Sequence, residues 1–165
     1  MIKGVEIKQL TTHPDSRGFF REVIRNSDPF FAGAFGQWSH SMMVQGVIKA
    51  WHIHKNQYDF WYVAGGLVRA VVAEIKEPKL GTIEYADLPI GMHYFIEDYQ
   101  EYLMGDHQPP IVLKIPPGIA HGCKVLQGPA HLLYVTSKEY DPANPDEGRL
   151  PFDSLPYDWH AETIS

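Results

Sequence analysis

The sequence predicts an all-β chain that closes as a sandwich or barrel, and three observations carry that expectation. Short apolar runs with Gly, Pro, Asn or Asp between them recur at intervals of roughly 8–12 residues. No segment keeps apolar residues at helical spacing over many turns, so no long helix is expected. Two separated segments each bring histidine to a strand interior, which suggests one pocket inside a barrel.

The chain has 165 residues, the size of one domain with a substantial core. Residues 1–165 show no repeat, linker or boundary and are expected to form a single domain. At 44% hydrophobic and 13% aromatic the chain is too apolar for disorder. A net charge of -6 without any Lys/Arg-rich run makes a nucleic-acid backbone a poor partner, although a few local cations would suffice for one or two phosphates. The single cysteine, Cys123, excludes an internal disulfide and a cysteine-built zinc site, which suits a reducing cytoplasm. Met1 to Lys8 alternates like a strand rather than carrying a signal-peptide core, and no apolar run reaches the ~18 residues of a membrane span. A soluble, cytoplasmic protein without a membrane partner is expected.

In chain order, strands are expected over Val5–Leu10, Phe19–Arg25, Gln37–Val44, Val47–His54, Phe60–Val63, Leu67–Ile75, Ile111–Ile115, Cys123–Leu126 and His131–Ser137. Asp15-Ser16-Arg17-Gly18 is a turn signature that opens the second of these. Gln37, Ser39 and Ser41 share one face of theirs. Short helical pieces are expected at Asp28–Phe35 and Ile96–Met104. The tail from Asp141, with Pro142, Pro145, Pro151 and Pro156, is expected to be irregular and to wrap over the barrel.

The densest chemistry lies between Gly46 and Gly66. His52 and His54 alternate on one strand and so point to one face; Asp59 follows, and Gly65-Gly66 is expected to close a hairpin. His121 stands at the head of a later strand, after Pro116-Pro117-Gly118. A lone histidine on an apolar strand is more often a satisfied core residue than a site residue; two segments in one pattern reverse that expectation. Phe60-Trp61-Tyr62 reads as core or dimer packing, and Cys123 as a small buried hydrophobe.

Four segments together resemble the dTDP-4-dehydrorhamnose 3,5-epimerase family. Asp15-Ser-Arg17-Gly18-Phe19-Phe20-Arg-Glu22 is similar to its D-x-R-G-x-F-x-E. Gln37-x-Ser39-x-Ser41 with Gly46-Val-Ile-Lys-Ala-Trp-His52 is similar to Q-x-N-x-S and G-V-L-R-G-L-H. Pro116-x-Gly118-x-Ala120-His121-Gly122 is similar to P-x-G-x-A-H-G-F, and Tyr134, Tyr140-Asp-Pro and Glu147-Gly148-x-Leu150-Pro-Phe-Asp153 follow in order. The resemblance spans Asp15 to about Asp153 and implies a cupin-type jelly-roll β-barrel, a homodimer and a cofactor-free enzyme without metal. The implied reaction is epimerisation of a nucleotide-linked 4-keto-6-deoxy sugar in deoxysugar or surface-polysaccharide biosynthesis.

That chemistry removes a proton beside a ketone, and needs a base on one face, an acid on the other and donors near the oxygen. His52 matches the family base, with a suitable ordinary pKa near ~6.5, and Tyr140 matches the acid. Arg17, Phe19, Glu22, Gln37, Ser39, Lys49, His54, Asp59, His121 and Tyr134 are the expected substrate-binding residues, with Arg17 and Lys49 directed at diphosphate or keto oxygen. The departures are Lys49-Ala50 for Arg-Gly, Ser39 for asparagine, His54 for glutamine, Asp59 for the enolate-steadying lysine and Ala70 for aspartate. No match to the family's C-terminal carboxylate follows Trp159, so Asp59 or another carboxylate is expected to orient His52.

The departures at His54 and Asp59 also fit a metal-cupin pattern, G-x5-H-x-H-x4-E-x6-G, with Gly46, His52, His54, Asp59 and Gly66 in register and His121 from the second motif. The alternative reading is therefore a metal-dependent cupin using His52, His54, Asp59 and His121. A non-catalytic sugar-nucleotide-binding protein is the third reading.

Overall fold

The computed structural model describes residues 1–31, 33–76 and 94–161. Its strands are β1 (Glu6–Gln9), β2 (His13–Asp15), β3 (Gly18–Phe20), β4 (Gln37–Met43), β5 (Ile48–His54), β6 (Asp59–Lys76), β7 (Phe95–Gly105), β8 (Ile111–Ile115), β9 (Ala120–Thr136) and β10 (Glu147–Arg149). β2 and β3 form a separate exposed hairpin, and the other eight strands form one antiparallel sheet.

Two long strands organise that sheet. β6 and β9 pair from Asp59↔Thr136 to Ala73↔Ala120. Each changes its other neighbour midway. β6 starts beside β8 and continues beside β7, while β9 starts beside β5 and ends beside β4. The bend in β6 falls at Gly65 and Gly66, where its register against β9 shifts. Gly66 has φ +74°, and a Cβ there would lie 2.7 Å from Ala130 Cα, so only glycine fits the bend. The expected hairpin turn at Gly65-Gly66 is thus a bulge inside one strand, and Phe60–Val63 and Leu67–Ile75 are its two arms. Cys123–Leu126 and His131–Ser137 join in the same way into β9.

Among the described residues no segment is helical. Ile96–Met104, expected as a helical piece, is part of β7, its backbone bonds taken by β6 from Leu67↔Gly105 to Lys76↔Phe95. The described part of Asp28–Phe35 forms turns; residue 32 lies outside the described residues. The strand expected over Phe19–Arg25 stops at Phe20.

The main core lies on one face of the β6/β9 ribbon: Val63, Val68, Ala70, Val72, Met104, Leu113, Ile115, Cys123, Val125 and Leu132. The opposite face is covered too. Trp51, Ile53, Val71 and Ala73 pack under Leu150, Leu155 and Trp159 of the C-terminal tail, and Phe60 and Val112 pack under Phe31, with Val23 and Ile24 beside them. Burial on both faces explains why β6 reads Val68-Arg-Ala-Val-Val-Ala73 rather than alternating. Arg69 is buried in that run because its guanidinium donates to the carbonyls of Trp159 (2.7 Å) and Ala161 (3.0 Å). No described helix is long and apolar enough to cross a membrane.

Candidate active site

Past an irregularity between Lys49 and His52, the end of β5 alternates across its two faces. Trp51 and Ile53 face the tail, and His52 and His54 face a cavity of about 910 Å³. Its lining includes Gln37, Lys49, Asp59, His121, Tyr134, Tyr140, Glu147 and Arg149. β9 delivers His121 and Tyr134, and β6 delivers Asp59. The loop ahead of β9 is pinned to β5 because Gly118, at φ +82°, donates its N–H to the His54 carbonyl at 2.8 Å. That bond sets His121 opposite His52 in the β5/β9 register, with the two rings stacked 6.0 Å apart.

The partner of His52 is Glu147, not Asp59. Nδ1 of His52 is hydrogen-bonded to Glu147 Oε1. The other carboxylate oxygen accepts from Arg149 Nε at 2.8 Å. Burial pushes the Glu147 carboxyl up, but the hydrogen bonds from His52 and Arg149 outweigh it and hold it down at about 2. A carboxylate at Nδ1 fixes the tautomer with the proton there, which leaves the Nε2 lone pair for a substrate proton. β10 brings Glu147 to this place. Arg149 pairs with His52 and Glu147 with His54 across the β10/β5 ladder. Asp146 secures the approach by accepting the N–H groups of Asn56 and Gln57, both at 2.9 Å.

Asp59 anchors a different group. Its carboxylate is buried and accepts from Gln57 Nε2 at 2.8 Å and Trp61 Nε1 at 3.1 Å. His54 Nε2 lies 3.7 Å from one of its oxygens and His121 Nε2 3.8 Å from the other. Burial drives the His121 pKa down to about 4 against the pull of Asp59, so the ring is neutral near pH 7.

The cavity gathers His52, Tyr140, Gln37, Lys49, His54, Asp59, His121 and Tyr134 from the expected set. Lys49 Nζ donates to Ser41 Oγ at 2.9 Å, and Gln37 Oε1 accepts the Tyr140 N–H at 3.1 Å. Ser39 stands behind Gln37, accepting its amide at 2.8 Å. Arg17, Phe19 and Glu22 do not reach the cavity of their own chain. Arg17 is paired with Asp15 at 2.6 Å on the β2–β3 hairpin, Phe19 is 60% exposed under the Arg21 guanidinium, and Glu22 faces Arg25. Sequence reasoning had Glu147 in a matched segment without a role, and missed Arg149 and Gln57. The available signal was the alternation Glu147-x-Arg149, which puts both on one face of a strand.

The family model described as dTDP-4-dehydrorhamnose 3,5-epimerase matches residues 1–165. The chain is 36% identical to the spore coat polysaccharide biosynthesis protein SpsL of Bacillus subtilis, over 98% of this chain and 99% of that one. It is 28% identical to the probable low-salt glycan biosynthesis epimerase Agl13 of Haloferax volcanii, over 98% and 96%. The fold is similar to that of a dTDP sugar isomerase from Desulfovibrio desulfuricans G20, with a TM-score of 0.77 at 21% identity, covering 98% of this chain and 94% of that one. The cupin-type jelly roll expected from the sequence is therefore the fold, and the chain belongs to the dTDP-4-dehydrorhamnose 3,5-epimerase family.

Proposed function

We propose that the protein epimerises a nucleotide-linked 4-keto-6-deoxy sugar, at C3 or at C3 and C5, for polysaccharide or glycan assembly in the cytoplasm. The observation that carries this reading is the His52–Glu147 pair, which aims an unprotonated Nε2 into a cavity that Tyr140 also lines. His52 takes the proton next to the ketone, the resulting charge spreads onto the keto oxygen, and Tyr140 returns a proton from the opposite face. The imidazolium formed on His52 is stabilised by the ionised Glu147. Lys49 and Arg149 at the cavity wall supply positive charge for diphosphate or keto oxygen. The relatives named for spore coat polysaccharide and low-salt glycan biosynthesis support the same end use.

The enzyme works as a homodimer on this reading. Trp38 and Met42 of β4, with Val44 just beyond it, are exposed apolar side chains. Arg17 and Phe19 on the β2–β3 hairpin, and Glu22 just after it, do not line the cavity of their own chain and are available to a second copy's.

The test is incubation with dTDP-4-keto-6-deoxyglucose in D2O, with deuterium at C3 and C5 followed by NMR. Deuterium at C3 alone, or at both carbons, is expected, and it disappears in His52→Ala. Absence of exchange from the wild type, or exchange that survives in His52→Ala, overturns the assignment.

A further inference from the structure

The geometry points to a divalent transition-metal site formed by His54, Asp59 and His121, on the wall of the cavity beside His52. The three side chains are buried, and one donor atom from each lies within 4.8 Å of the others. The separations from Asp59, 3.7 Å to His54 Nε2 and 3.8 Å to His121 Nε2, are too long for hydrogen bonds. They exceed only slightly the ~3.4 Å between two ligands that each sit ~2.1 Å from one tetrahedral ion.

The proton positions make the case. His121 Nδ1 is 2.9 Å from the Ile119 carbonyl. A carbonyl only accepts, so the ring's proton is on Nδ1, and the Nε2 lone pair faces the Asp59 carboxylate. His54 Nε2 lies 3.3 Å from the Gln57 side-chain N–H, a donor, and so presents its lone pair as well. Two imidazole lone pairs and a carboxylate thus converge, an arrangement that repels itself and attracts a cation. An N–H held by a backbone carbonyl is also the usual outer bond of a metal-bound histidine. His54 Nδ1 is buried with no hydrogen-bond partner, a cost that an apolar side chain at this place would avoid.

Gln57 occupies the place of the ion's charge without supplying any. Its amide bridges Asp59 and His54, and turned about its last bond it offers Oε1 as a further ligand. Two imidazoles and one carboxylate suit Zn2+, Co2+, Mn2+, Fe2+ or Ni2+ rather than Ca2+ or Mg2+. The site is distinct from the His52–Glu147 pair. Of the four metal ligands that the sequence pattern suggested, His52 is directed to Glu147 instead.

The experiment titrates Co2+ into chelator-treated full-length protein without substrate, so its outcome is independent of the epimerase reading. It is run on a His40→Gln background, because His40 and His131, 2.9 Å apart on the surface, offer a competing site. Saturable visible absorption at one ion per chain is expected, weakened at least about tenfold in Asp59→Asn and in His54→Gln, with circular dichroism confirming the fold of each variant. Copper EPR of the unmutated triad is expected to show coupling to two imidazole nitrogens, a readout that stands if the variants do not fold. No saturable band, titrations unchanged in folded variants, or a copper spectrum without nitrogen coupling overturns the proposal.

Discussion

Glu147 decides what His52 is able to do. An imidazole whose two nitrogens are both free presents either tautomer to a substrate, and a carboxylate at Nδ1 removes that choice. Arg149 holds the second oxygen of that carboxylate, so Glu147 is oriented from both sides. Glu147→Gln keeps the shape and loses the charge that stabilises the imidazolium. A loss of solvent exchange of about 10²-fold or more is expected, with thermal stability near that of the wild type, measured as NMR exchange rate and melting temperature. Because Glu147 is held down at about 2, it is ionised throughout any practical assay range. The acid limb of the pH–rate profile therefore reports protonation of another group, and Glu147→Gln lowers activity without removing that limb. The sequence could not supply this pair. His52 was legible from its alternation with His54 and its matched segment, but its partner lies 95 positions away. Only the β5/β10 ladder makes them neighbours.

At the level of elements, legibility followed the side-chain pattern. β4 and β5 were readable because their side chains alternate in kind, Gln37, Ser39 and Ser41 on the half-buried row of β4 and Trp51 and Ile53 between His52 and His54 in β5. β7 was not. Its half-buried row, Ile96, Asp98, Gln100 and Tyr102 leading to buried Met104, mixes polar and apolar side chains, while Ile96, Tyr99 and Leu103 fall at helical spacing. Pairing with β6 overrides that local pattern. β10 was also invisible, being three residues in a Pro-rich tail, yet it carries the carboxylate that pairs with His52. The tail holds it by packing. Trp159 lies 4.9 Å from the Trp51 ring and 4.7 Å from Tyr157, and its carbonyl accepts from Arg69 and Lys124. Trp51 in turn exchanges both backbone hydrogen bonds with Leu150, one residue beyond β10. Trp159→Ala should remove about 3–5 kcal/mol of stability, a fall of roughly 10 °C in melting temperature. It should also slow solvent exchange in protein that remains folded, since β10 loses its backing. A variant that melts earlier but exchanges at the wild-type rate would show that β10 is positioned without the tail.

For the whole molecule, the question is where a complete site resides. One chain's cavity is lined by His52, Glu147, Tyr134 and Tyr140 with Lys49, Lys138 and Arg149 as cations, while the Arg17 side chain, 87% exposed on its hairpin, is paired with Asp15. An exposed pair of this kind is worth little, so Arg17 is free to exchange Asp15 for a diphosphate presented by a neighbour. The prediction is a complementation. If the chain dimerises as proposed, Arg17→Ala and His52→Ala chains are each expected to lose activity as homodimers, the first through substrate binding and the second through proton abstraction. Unfolding and refolding the two together produces mixed dimers. In each of these, one cavity combines the intact His52 of the first chain with the intact Arg17 of the second, and solvent exchange returns. If Arg17 served its own cavity, every site in the mixture would still lack one of the two groups, and no activity would be recovered. The mixture therefore separates a site closed within one chain from a site completed across the dimer, and giving the two chains different affinity tags, with capture by one and detection of the other, shows whether mixed dimers have formed.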